Sequence, residues 1–247
     1  MNWRGRFAPS PTGALHFGSL LGALASYLDA RKNNGTWFVR IDDLDKPREQ
    51  KGATSLILRV LEAIGMEWSG PVVYQSDRLD IYEEAFNRLV QEGFTFKCSC
   101  SRRDVAGRLY PGTCRKAPFI EGKKCSTRVL VEDELIVFED GIQGRYEQNL
   151  AASCGDFIIR RSDDIFSYNL AVVVDDAIDE VTSVVRGLDL LESTPRQLWL
   201  MKLLKLPCPE YAHIPLALDG KGVKLSKQTF APPLVFPSIH CNVFYAL

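Results

Sequence analysis

Arg6-Phe-Ala-Pro-Ser10-Pro-Thr-Gly-Ala-Leu-His16-Phe-Gly18-Ser19 reads as the end of a strand, a Pro/Gly turn and the opening of a helix. Phe17, Leu20, Leu21, Leu24 and Leu28 follow at helical spacing and predict one apolar face. Free backbone N–H groups at such a helix start make a site for phosphate. His16 stands there as a donor to a phosphate oxygen, and Gly18 has no side chain to keep a purine ring off the backbone. Near the other end of the chain, Lys224-Leu-Ser226-Lys227-Gln228 follows Asp219-Gly220 and sets two lysines three residues apart. The two stretches together predict an ATP-using enzyme that displaces pyrophosphate. The chain has no Gly-x-x-x-x-Gly-Lys-Ser/Thr run, so its phosphate site is not a P-loop.

Outward from the first stretch, strand and helix alternate. Trp37-Phe-Val-Arg-Ile41 is a β-rich run after the Asn33-Asn34-Gly35 stop. A helix is predicted over Ala53–Ile64 with Leu56, Ile57, Val60, Leu61 and Ile64 on one face. Another spans Asp77–Gln91, with Ile81, Ala85, Phe86 and Leu89 inward and Gly93 ending it. This alternation predicts a doubly wound, Rossmann-like α/β fold with a largely parallel sheet. Its ligand should bind at the carboxyl ends of the strands, where Ser10, Asp42 and Asp43 fall.

From Cys98 to Cys154 the rhythm breaks, with short strand-like runs at Arg128–Val131 and Leu135–Phe138. We read this segment as an insertion with its own local stabilisation, which divides the chain into 1–97, 98–154 and 155–247. Asp156–Arg160 resumes regular structure, a strand is predicted over Tyr168–Val174, and another run follows at Val181–Val185. A helix then opens at Ser193-Thr-Pro195.

The 247 residues are 46% hydrophobic and 25% charged, as in an ordinary globular protein. No apolar run reaches ~18 residues, and the start lacks the apolar core of a signal peptide, so a cytoplasmic protein off the membrane is expected. The net charge of −1 leaves no bulk basic footprint for nucleic acid. Arg102-Arg103, Arg115-Lys116, Lys123-Lys124 and Arg160-Arg161 read equally well as solvated charge.

Seven cysteines in such a chain point to metal or plain burial rather than disulfides. Cys98-Ser-Cys100 and Cys114, around Pro111-Gly112, suit a closed zinc site, with buried free thiols as the alternative. By chemistry alone the fourth ligand stays open between Cys125 and Tyr110. An acidic amino acid needs a fixed cation and a partner for its ammonium, for which Arg6, Ser10, Asp42, Tyr168 and Arg186 near strand ends are candidates, although each alone reads more simply as a surface salt bridge.

On these residues the chain resembles the class I aminoacyl-tRNA synthetases. His16-Phe-Gly-Ser19 stands where their HIGH motif does and Lys224-Leu-Ser-Lys-Gln228 where their KMSKS loop does. Arg6-Phe-Ala-Pro-Ser10, the acidic pair Asp42-Asp43, Tyr168-Asn-Leu-Ala-Val-Val and Arg186-Gly187 resemble the glutamate pocket of the glutamyl branch. The resemblance covers about residues 4 to 233. It implies a class I catalytic domain with a small zinc-bearing insertion. It also implies ATP, with Mg²⁺, held by His16, Gly18, Ser19, Lys224, Ser226 and Lys227, of which His16 and Lys227 are catalytic. L-glutamate is implied on Arg6, Ala8, Ser10, Asp42, Tyr168 and Arg186. One structural Zn²⁺ is implied on Cys98, Cys100, Tyr110 and Cys114, whose C-x-C…Y-x₃-C pattern favours Tyr110 over Cys125.

Within the branch, Asp156–Asp176 and the Lys-Leu-Ser-Lys-Gln form look most like the shortened glutamyl paralogues. These activate glutamate without tRNA and transfer it to queuosine in the anticodon of tRNA(Asp). The absence of a helical anticodon-binding region after the lysine loop agrees, and a monomer is expected. A catalytic fragment of an ordinary glutamyl-tRNA synthetase and a non-catalytic RNA-binding paralogue are the alternatives. Two departures stand out. Asp42 replaces the usual glutamate and reaches about one ångström less far, which predicts a modest loss in glutamate binding or a bridging water. The tail Val235–Leu247 is apolar and aromatic where relatives carry polar helices.

Overall fold

The computed structural model describes residues 2–101, 103–105, 109–116 and 122–218. The chain enters as β1 (Arg4–Phe7), α1 (Phe17–Lys32), β2 (Thr36–Ile41), α2 (Ala53–Ala63), β3 (Val73–Tyr74) and α3 (Leu79–Gln91). It continues as β4 (Thr95–Cys98), β5 (Ser126–Val129), β6 (Leu135–Asp140), β7 (Gly144–Asn149), α4 (Leu150–Ser153) and β8 (Phe157–Arg160). α5 (Tyr168–Ile178), β9 (Ser183–Gly187), α6 (Thr194–Leu204) and β10 (Glu210–Ile214) follow.

Seven strands form one sheet in the order β3-β2-β1-β9-β10-β6-β7, parallel except for the β6–β7 hairpin at its edge. The strands leave β1 in both directions: β2 and β3 lie to one side, β9 and β10 to the other. The crevice beyond the carboxyl ends of β1 and β9 is the topological switch point where open α/β sheets bind ligands.

α1 presses on this sheet with a narrower face than its leucines suggest. Leu20, Ala23, Leu24, Ser26 and Ala30 are buried, whereas Leu28 is exposed. Small residues win because the helix runs close over β1: a Cβ on Gly5 would sit 3.4 Å from that of Ala30. Ser26 fits there by accepting a 3.0 Å bond from Trp37 Nε1 and donating to the Ala23 carbonyl. Leu56 and Ile81 are likewise exposed, and Tyr82 takes the inward place on α3. The tyrosine is the deeper reach, and its hydroxyl ends on Asp175 at 2.8 Å.

Two expectations are corrected. Tyr168–Val174 is not a strand but the start of α5. Ser167 caps it, its hydroxyl accepting from the Leu170 N–H, and Leu170 through Asp176 are all buried. An apolar run buried on every side carries no periodicity to tell strand from helix. The helix also lets adjacent Asp175 and Asp176 both meet buried cations, which a strand would send to opposite faces. The segment 98–154 does not stand on local stabilisation. β5 pairs with β4 and β8 in a separate three-stranded sheet, and β6 joins the main sheet beside β10. Val129, Val131, Leu150 and Cys154 pack in one core with Tyr82, Phe86, Leu170 and Trp199. None of the described helices is long and apolar enough to cross a membrane.

Candidate active site

A cavity of about 800 Å³ opens at the switch point. β1 and the turn after it supply Arg6, Ala8 and Ser10, and the start of α1 supplies His16, Gly18 and Ser19. Tyr168 enters from the first turn of α5, and Arg186 from β9. The helix start predicted for phosphate and, Asp42 apart, the residues predicted for an amino acid thus share one space.

His16 is the N-cap of α1, and its Nδ1 accepts from the Ser19 N–H at 3.2 Å. That bond leaves the proton on Nε2, which lies 2.9 Å from Ser19 Oγ. The helix start is therefore already engaged: the ring accepts from one of its own N–H groups, and its Nε2–H donates to Ser19 Oγ.

Behind the cavity lies a buried ionic network. Arg6, 4% exposed, donates through Nε and Nη2 to both oxygens of Asp176 at 3.2 and 3.1 Å. Arg40, wholly buried, bonds Asp42 at 2.9 Å and Asp176 at 2.7 Å. Burial alone would raise the Asp176 carboxyl, but Arg6 and Arg40 hold it down at about 2. Asp42 goes the other way: burial outweighs Arg40 and pushes it up to about 6. Asp42 is also absent from the cavity wall. Its short side chain ends on Arg40 Nε, behind the wall that the other predicted pocket residues line.

Arg186 is held differently. Nε donates to His213 Nε2 at 3.0 Å, Nη2 to Thr194 Oγ1 at 2.8 Å and the Leu190 carbonyl at 3.4 Å, and Nη1 to Tyr168 Oη at 3.4 Å. His213 Nδ1 lies 2.5 Å from Asp140 Oδ2. Burial lowers the His213 pKa, and Arg186 adds to this against Asp140. Burial would raise Asp140, but the Gln143 amide, His213 and the Ile142 amide together bring it below the usual carboxylate value.

The sulfur cluster lies apart from the cavity. Cys98, Cys100 and Cys114 offer Sγ atoms within 4.8 Å of one another. Tyr110 Oη is 3.6 Å from Cys98 Sγ and accepts from the Cys114 N–H at 2.8 Å. Cys125 is not in this group. Gly155 seats the tyrosine: its φ is +64°, and a Cβ there would lie 2.7 Å from the Tyr110 carbonyl oxygen. Burial works against a Cys114 thiolate, yet hydrogen bonds from Tyr110, the Ser99 amide and the other thiols bring it down to about 7. Three sulfurs converging in this way fit a structural zinc ion, with the Tyr110 hydroxyl placed beside them.

Sequence reasoning missed Asp176, His213, Thr194 and Asp140. Asp175-Asp176 at the end of an apolar run was the one available signal, since buried acids need buried cations. Lys224, Ser226 and Lys227, with the tail, lie outside the described residues.

Residues 2–107 and 113–232 match the catalytic domain of the class I tRNA synthetases (E and Q), which gives the class. A relative from Neisseria meningitidis serogroup B, glutamyl-Q tRNA(Asp) synthetase, is 51% identical over 94% of this chain and 82% of its own length. The glutamyl-Q tRNA(Asp) synthetase of Dechloromonas aromatica is 50% identical over 94% of this chain and 80% of its own. The chain belongs to this family of ligase-type enzymes, the glutamyl-Q tRNA(Asp) synthetases. Among solved structures, a glutamate tRNA ligase from Elizabethkingia meningosepticum in complex with its amino acid superposes with a TM-score of 0.82 at 28% identity. That match covers 95% of this chain and 54% of the ligase, so the chain spans about half of that relative's length. Methionyl-tRNA synthetase from Mycobacterium tuberculosis, 9% identical with a TM-score of 0.62, shares the fold.

Proposed function

We propose that this chain activates L-glutamate with ATP, without tRNA, and transfers the glutamyl group to queuosine in the anticodon of tRNA(Asp). The observation that carries the reading is the single cavity in which the His16–Ser19 helix start faces Arg6, Tyr168 and Arg186 across the switch point. The names of the relatives support glutamate and tRNA(Asp) as substrates.

In the first step a glutamate carboxylate oxygen attacks the α-phosphorus of ATP in line, and the bond to the bridging oxygen of pyrophosphate breaks. The products are glutamyl-adenylate and pyrophosphate. No protein nucleophile is needed, because positioning and charge stabilisation do the work. Ser10 and the Ala8 backbone line the amino-acid side, and Gly18 leaves room for the adenine. His16 Nε2–H exchanges its bond to Ser19 Oγ for one to a phosphate oxygen. Lys227, aided by Lys224 and Ser226, neutralises the departing pyrophosphate together with Mg²⁺. In the second step a queuosine hydroxyl takes the glutamyl group and AMP leaves. Cys98, Cys100, Cys114 and Tyr110 would hold a zinc ion, which supplies cross-linking and no chemistry.

Glutamate-dependent exchange of pyrophosphate into ATP, run with and without tRNA, tests this reading. Exchange without tRNA is expected, followed by transfer to queuosine-bearing tRNA(Asp). Exchange that requires tRNA would instead mark an ordinary glutamyl-tRNA synthetase. No exchange in either condition sinks the activation step.

A further inference from the structure

The two arginines at the cavity are supported by opposite means. Arg6 lies against a carboxylate that stays ionised, Asp176, with both bonds of the fork filled. Its charge is largely answered before any ligand arrives. Each partner of Arg186 is an uncharged acceptor: an imidazole nitrogen, a threonine hydroxyl, a tyrosine hydroxyl and a carbonyl. These groups fix the guanidinium plane without pairing it; the carboxylate that shares the cavity wall, Asp189, is not among its hydrogen-bond partners.

The imidazole can serve only in one protonation form. Asp140 Oδ2 accepts at Nδ1, so Nδ1 carries the proton and Nε2 keeps the lone pair that receives Arg186 Nε–H. The other oxygen of Asp140, Oδ1, accepts the N–H groups of Ile142, Gln143 and His213. The carboxylate is thus pinned and cannot rotate away from the ring. His213 itself is wholly buried on β10, directly opposite Arg186 in the β9–β10 register.

We propose that Asp140 and His213 form a positioning pair that holds Arg186, which has no carboxylate among its hydrogen-bond partners, as the cation of the amino-acid pocket and thereby selects glutamate over glutamine. This rests on reading the cavity as a glutamate site. An isosteric amide can only accept a bond from the cation through its neutral oxygen, whereas a carboxylate pairs with the charge as well, so the larger gain falls on the charged ligand.

The test is calorimetric titration of the full chain with glutamate, glutamine and, separately, ATP. Asp140→Asn keeps the shape and, through its carbonyl oxygen, the three backbone bonds. It turns an N–H toward Nδ1, which moves the ring proton to Nε2, against Arg186. Glutamate affinity should fall at least about tenfold, the usual scale for a lost bond to a charged group. The glutamate-to-glutamine preference should shrink, and ATP affinity should hold. His213→Gln places a carbonyl acceptor where Nε2 was and should retain affinity within a few-fold, while His213→Ala should not. Equal losses in His213→Gln and His213→Ala, or an Asp140→Asn chain with unchanged preference, overturn the proposal while leaving the glutamate site standing. A wild-type chain that binds ATP but no acidic amino acid overturns the glutamate reading and the selection with it.

Discussion

At the scale of the residue, burial and charge compete openly at Asp42. Its carboxyl has an ordinary value of 3.8 and stands at about 6 in the fold, because burial costs more than Arg40 returns. The sign follows from proton uptake. Between about pH 6 and 3.8 the folded chain holds a proton here that the unfolded chain has released, so this group stabilises the fold as pH falls through 6. Asp42→Asn removes that dependence. Denaturant unfolding at pH 5 and 7.5 should show the variant gaining about 1 kcal/mol on the wild type at the higher pH. A pH-independent difference would mean that Asp42 is solvated. Much of the cavity was legible at this scale. Arg6, Ser10, His16 and Gly18 sit in one unbroken stretch, where local pattern suffices. The groups that orient them were not legible: Asp176 lies 170 residues from Arg6, and Asp140 lies 73 from His213. No periodicity links positions so far apart, and an aspartate at a strand end looks like any solvated one.

At the scale of the element, α5 is the instructive case. Its valines favour a strand, yet the run is a helix because Ser167 satisfies the Leu170 N–H and because two adjacent aspartates must reach different cations. Tertiary pairing overrides a propensity worth a fraction of a kcal/mol per residue. The cap can be weighed directly. Ser167→Ala should destabilise the chain by about 1 kcal/mol in urea unfolding. Because Tyr168 opens the helix, the Michaelis constant for glutamate should also rise while that for ATP stays. The other helices were readable from spacing, but their inward faces were misjudged where a small residue beats a large one. The reading of α1 counted leucines, whereas close approach to β1 selects Ala23, Ser26 and Ala30.

At the scale of the whole molecule, the two sheets meet in a shared core, and the sulfur cluster hangs at the end of β4 in the smaller one. Zinc there would cross-link the loop carrying Tyr110 and Cys114 to that strand. Dialysis against a strong chelator should remove the metal and lower the melting temperature by on the order of 5 °C or more, with recovery on adding zinc. Cys114→Ser should start at the lower temperature and not respond. A purified wild-type chain without zinc, melting at the same temperature with and without it, would leave the cluster as plain buried thiols.

The strand that carries Asp140 belongs by sequence to the interrupting segment and by hydrogen bonding to the main sheet, where the Tyr211–Asp140 pair joins it to β10. The aspartate therefore travels with the insert, and the histidine it orients travels with the host. Cutting out or exchanging the segment as a unit would therefore take the acid away from β10 along with it. The segment is not a detachable module of this cavity.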